Sequence, residues 1–145
     1  MMKRTMRIGS LAVLGCILLV FASAPFAAEK QRVVYHVTDM DKIDFTLRNL
    51  ANHIEGVGGP ENVELHLVVI GPAMQGFTQA KVDTKVKEML PKLVAKGVQL
   101  EACGNTLSKM NLKLADLVPG FVELPQGGVV RLAELQMQGF VYIRP

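Results

Sequence analysis

Leu67, Val68, Val69 and Ile70 form an unbroken apolar run that Gly71 and Pro72 stop. No other segment limits the fold as much. A strand with one wet face alternates apolar and polar side chains. A continuous β-branched run needs cover on both faces, and parallel sheets supply that cover through their crossover helices. The rest of the chain has the matching rhythm. Residues 32–38, 62–70, 98–102, 121–124 and 140–144 read as five strands. Ile43, Leu47, Leu50, Ala51 and Ile54 recur at helical spacing over 41–55, with Thr38, Asp39 or Asp41 placed to cap the start. A second helix covers 82–96, and Pro91 inside it predicts a kink or two abutting helices. Residues 73–80 read as a loop with a helical turn, and short helices follow at 106–112 and 129–138. Alternating elements of these lengths predict an α/β fold: a three-layer α/β/α sandwich around a mostly parallel five-stranded sheet.

In such sheets ligands sit beyond the carboxyl ends of the strands. That edge collects His36, residues 38–41, Gly71, Pro72 and residues 103–106. Cys103 stands where strand three gives way to a turn. Gly104 lets the backbone turn beside the sulfur, and Asn105 or Thr106 is placed to cap the helix that follows. Free amides and the positive end of a helix favour a thiolate, and Lys109, one turn along, adds positive charge. His36, near the end of strand one, is a candidate contact for the thiol. These are conditions for a nucleophilic or sulfur-carrying cysteine. The same position also suits a cysteine packed as a small hydrophobe.

The N-terminus reads as a secretory signal. Lys3, Arg4 and Arg7 precede a nearly unbroken apolar run over 8–21, and Ala22, Ser23, Ala24, Ala27 and Ala28 lead into Glu29 and Lys30. The order is basic, apolar, then small, and the run is short for a membrane span. Residues 1–28 are therefore read as a signal peptide and 29–145 as a single domain. The expected location is the bacterial periplasm or the exterior, with membrane attachment only if the segment stays uncleaved. Cys16 lies inside the apolar run and reads as a small hydrophobe. Processing thus leaves Cys103 as the lone thiol, with no internal disulfide, no dithiol exchange within one chain and no multi-cysteine zinc site.

Charge narrows the partners. Sixteen Lys and Arg against thirteen Asp and Glu give +3. Lys3, Arg4 and Arg7 precede every acidic residue, so the mature part is neutral, and no basic cluster suggests nucleic acid. A nucleotide reading fails at the first strand-to-helix turn. Thr38, Asp39, Met40 and Asp41 carry two carboxylates and no glycine, whereas a phosphate cradle wants bare amides. The glycines at 56, 58 and 59 follow a helix and form a turn. His36, His53 and His66 lack ligand spacing, so they read as structural or surface residues. Met74, Met89, Met110 and Met137 read as gap-filling core or interface residues. No cofactor and no metal are expected.

Ala102, Cys103, Gly104, Asn105 and Thr106 resemble a segment of the DsrE/DsrF-like family of small sulfur-relay proteins, in its subgroup of short, often exported members. Further segments of the resemblance are Val34 with Tyr35, His36 and Val37, then residues 68–72, 96–98, 117–120, 132–136 and 139–145. The resemblance covers essentially the whole mature chain. It implies a flavodoxin-like sandwich assembled as a homo-oligomer, often a trimer or hexamer. It also implies that Cys103 carries sulfur as a persulfide, with a sulfane-sulfur donor and an acceptor protein as partners. The expected function is an exported sulfur carrier or sulfurtransferase accessory protein. The alternative is a non-catalytic envelope binding or assembly module in which Cys103 is structural.

Overall fold

The computed structural model describes residues 29–145, and the signal-peptide reading of 1–28 lies outside them. Five strands form one all-parallel sheet: β1 (Gln31–Val37), β2 (Val63–Val69), β3 (Gln99–Cys103), β4 (Phe121–Leu124) and β5 (Val141–Ile143). Their order is β4-β3-β2-β1-β5. The helices are α1 (Ile43–Gly56), α2 (Thr84–Ala95), α3 (Gly104–Lys109) and α4 (Gly128–Met137).

This order dictates the layers. From β1 to β4 the chain steps across the sheet in one direction, so right-handed crossovers place α1, α2 and α3 on one face. The β4-to-β5 connection runs back across β3, β2 and β1, and the same handedness places α4 on the other face. Side-chain alternation feeds both cores. Val33, Tyr35, Val37, Leu65, Leu67, Val69, Leu100 and Ala102 join Leu47, Leu50, Leu90 and Leu107 in the larger core. Val34, Val68, Leu124, Leu132, Leu135 and Phe140 make a small second core under α4. The apolar run at Leu67 is thus covered from both sides, and Leu67, Val68 and Val69 are fully buried.

Several local expectations change. Pro91 lies within one uninterrupted helix. It sits on the exposed side, where its missing N–H is least costly. The helix is capped by Asp83, whose carboxylate accepts from the Lys85 amide. Residues Gly71–Phe77 form a 3-10 helix rather than a loop with one turn. Asp39 and Asp41 do not cap α1. A 3-10 turn at Met40–Lys42 precedes that helix, and the Asp39 carboxylate instead faces Thr38 and Arg144. Helix α3 begins at Gly104, two residues before the expected start, so Cys103 itself is the N-cap residue.

Candidate functional site

Adjacent strands whose following helices go to opposite faces leave a crevice at their carboxyl ends. Here those strands are β3 and β4: α3 leaves toward one face and α4 toward the other. The first turns of both helices therefore converge on the last residue of β3, which is Cys103.

Three glycines make the convergence tight. A Cβ on Gly104 would lie 2.8 Å from the Leu124 carbonyl oxygen, so only glycine lets α3 start against the end of β4. A Cβ on Gly128 would fall 2.6 Å from Ile70 Cγ1, so α4 begins pressed onto β2. Gly127 takes φ +90°, which an L side chain rarely adopts, and the Asn105 amide group packs over it.

Cys103 is 4% exposed and is the free cysteine among the described residues. Burial by itself pushes the thiol pKa up. The Thr106 hydroxyl and the backbone amides of Gly128, Thr106 and Asn105 face the sulfur, and their combined effect holds the thiol below its ordinary value. The sulfur closes no cap hydrogen bond onto its own helix, so the amides act as dipoles directed at the thiolate. Thr106 is a relay. Its Oγ1 accepts from the Gly71 amide at 3.0 Å, which leaves the hydroxyl proton free to turn to the sulfur. The loop after β2 is thereby tied to the site.

The expected residues divide. Gly104, Asn105 and Thr106 are at the sulfur, with Thr106 inside α3 rather than capping it. Lys109 ends α3 in an exposed position and is absent from the influences on the thiol. His36 is not at the site. It lies on β1, separated from β3 by β2, so ~10 Å of sheet lies between. Its Nδ1 is 2.8 Å from the Tyr142 hydroxyl, and its Nε2 is buried without a hydrogen-bond partner. Burial and the Arg144 charge lower its pKa despite the opposing pull of Asp39. His53 is held between the Tyr35 hydroxyl and Gln31 Oε1.

The main element that sequence reasoning missed is Gly128. In the sequence, the glycine pair at 127 and 128 stands just before the helix read at 129–138, which marks it only as a lead-in. A second omission is a buried ionic cluster under α4. Glu101, two residues before Cys103, is 4% exposed. It accepts from Arg131 Nη2 at 2.8 Å and lies 3.0 Å from His66 Nδ1. Burial raises the Glu101 pKa, but the hydrogen bonds from His66 and Arg131 outweigh it and hold the carboxyl below its usual range. Its signal was a carboxylate in the middle of a strand whose neighbours are apolar. Among the described residues no group of three or more His, Cys, Asp or Glu is placed to hold a metal. None of their helices is long and apolar enough to cross a membrane.

A family model described as the DsrE/DsrF-like family matches residues 17–145. No curated protein matches the sequence. Among solved structures, the chain is similar to a protein of unknown function from Methanobacterium thermoautotrophicum, with 24% identity, TM-score 0.70, and 80% of this chain and 100% of that one covered. It is also similar to the ychN protein from E. coli at 18% identity and TM-score 0.60, covering 81% of this chain and 99% of that one. A conserved protein of unknown function from Bacteroides thetaiotaomicron aligns at 14% identity and TM-score 0.60, over 79% and 95% of the two chains. At these identities the structures speak for the fold.

Proposed function

Because the chain belongs to the DsrE/DsrF-like family, a family generally related to sulfur relay, we propose that it is an exported sulfur carrier that holds sulfane sulfur as a persulfide on Cys103. The observation that carries this reading is the position of Cys103, the last residue of β3 and the N-cap residue of α3, where neighbouring amides and the Thr106 hydroxyl hold its thiol below the ordinary value. Such a site favours an anion, and both the thiolate and the persulfide are anions. The Cys103 thiolate attacks the outer sulfur of a donor R–S–SH. The Sγ–S bond forms, the donor S–S bond breaks, and the donor thiolate leaves. An acceptor thiolate then attacks the outer sulfur of the Cys103 persulfide, and Cys103 leaves as the thiolate. Neither step changes the total oxidation state, so no cofactor is required. The periplasmic or exported location rests on the sequence of residues 1–28. A homo-oligomer is part of the proposal. Val129 and Met137 on α4 are 71% and 80% exposed, an apolar surface that a second copy would cover.

A second reading is favoured by one observation: at 4% exposure, Cys103 is as buried as many core residues. On that reading the protein is a binding or assembly module with a structural thiol. Native mass spectrometry of the protein before and after polysulfide, with Cys103→Ser as control, separates the two. A one-sulfur mass gain on wild type alone supports the carrier, and the same spectrum gives the oligomer. No gain, together with a thiol that reacts with alkylating reagent only on unfolding, makes Cys103 structural.

A further inference from the structure

The buried Glu101–Arg131 pair has no role in the chemistry above, yet it is placed oddly for a purely structural contact. A buried ion pair is a weak source of stability, because desolvating two charges consumes most of their attraction. The pair joins β3 to α4 at one particular level. Glu101 and Cys103 are two residues apart on β3, a spacing that returns to the same side of the pleat. Gly128 and Arg131 are three residues apart on α4, one turn of helix. Thus Glu101 meets Arg131 one step below the point where Gly128 meets Cys103.

Beyond the close packing of Gly127 against Asn105 and of Gly128 against Ile70, side chains do little to fix the first turn of α4. Val129 and Val130 are exposed, and the apolar anchors of the helix, Leu132 and Leu135, lie farther along. The guanidinium makes a forked contact, with Nε at 3.1 and 3.2 Å from the two Glu101 oxygens and Nη2 at 2.8 Å. A fork sets direction as well as distance. His66 Nδ1 lies against Glu101 Oε1, the oxygen that Nη2 also meets, and the His66 ring packs edge-on to Phe140 and lies 3.6 Å from Glu64. Glu64 in turn pairs with Arg32, and Arg131 also lies 3.9 Å from Glu134.

We propose that Glu101 and Arg131 are positioning residues for the sulfur site, a clamp that holds the first turn of α4 so that the Gly128 amide stays directed at Cys103. This deepens the sulfur-carrier reading and rests on it for its biological meaning. The geometry of the clamp stands independently.

The experiment uses full-length protein carrying Cys16→Ser, so that Cys103 is the single thiol. The titration of Cys103 is followed by the ultraviolet absorbance of the thiolate, with Cys103→Ala as the blank, and this needs no reagent access. Arg131→Met breaks the clamp but leaves the Glu101 charge buried, which threatens folding. The pair Glu101→Gln with Arg131→Met removes both charges together and keeps the volumes. Arg131→Lys keeps the charge without the fork. The clamp predicts that the double variant raises the thiol pKa by about one unit. Arg131→Lys is expected to fall between wild type and the double variant. An unchanged thiol pKa in a folded double variant overturns the proposal, whatever the melting temperature does. Polysulfide loading of wild type is measured alongside. If wild type takes up no sulfur while the pKa shift is present, the carrier reading fails and the clamp survives.

Discussion

Replacing Thr106 by valine keeps the branched shape and removes a single hydroxyl, which here has two duties. It accepts from the Gly71 amide at 3.0 Å and it turns its proton toward Cys103. Thr106 is 7% exposed, so water does not readily replace either contact. Losing the acceptor leaves the half-buried Gly71 N–H unsatisfied, at a cost of about 1–2 kcal/mol independent of pH. For a domain of this size, about 2 kcal/mol lowers Tm by roughly 8 °C. Losing the donor raises the thiol pKa, at about 1.4 kcal/mol per unit. The sign of the pH dependence follows from the direction of the shift. The Cys103 pKa in the folded protein is depressed, so its ionisation contributes stability that is fully present above the unfolded value of about 8.5 and is lost as pH falls through the folded value. Thr106→Val is therefore expected to lose more stability relative to wild type at about pH 10 than at about pH 6, by roughly 1 kcal/mol. Thr106→Ser should follow wild type at both. Urea unfolding across that pH range measures the difference. A pH-independent deficit, or a serine variant as weak as the valine, would refute the thiolate part of the reasoning.

Gly104→Ala drives a Cβ to 2.8 Å from the Leu124 carbonyl, a backbone atom that cannot step aside, and should cost about 1–3 kcal/mol in urea unfolding. Gly97→Ala is a useful contrast: no atom lies within 4 Å of its Cβ, so any loss there comes from its φ of +88° alone. Glutamate at both Val129 and Met137 should leave the single chain folded, because both side chains are exposed in it, but should convert an oligomer to monomer in light scattering. A variant that stays assembled places the contact elsewhere. Because the Glu101 pKa is depressed, its charge contributes stability above the unfolded value of about 4.3 that is lost as pH falls through the folded value. Glu101→Gln paired with Arg131→Met should therefore flatten the acid limb of the stability curve, and an unchanged limb would count against an ionised Glu101.

Pattern and composition determined the elements of this protein. The apolar run at Leu67, the helical spacing from Ile43 to Ile54 and the glycine stops are local properties, so five strands, their helices and a parallel sandwich could be read without coordinates of any kind. The placement of Cys103 at the end of a strand was legible for the same reason. What the sequence could not set was strand order, since every permutation of five parallel strands has the same local pattern. The observed order moves β1 two strands away from β3, which separates His36 from the thiol that linear reasoning had offered it. The same order sends α4 to the opposite face from α3 and brings Gly128, some twenty-five residues beyond Cys103, to its sulfur. Right-handed crossovers and strand order, both properties of the whole chain, decided which amides surround the cysteine.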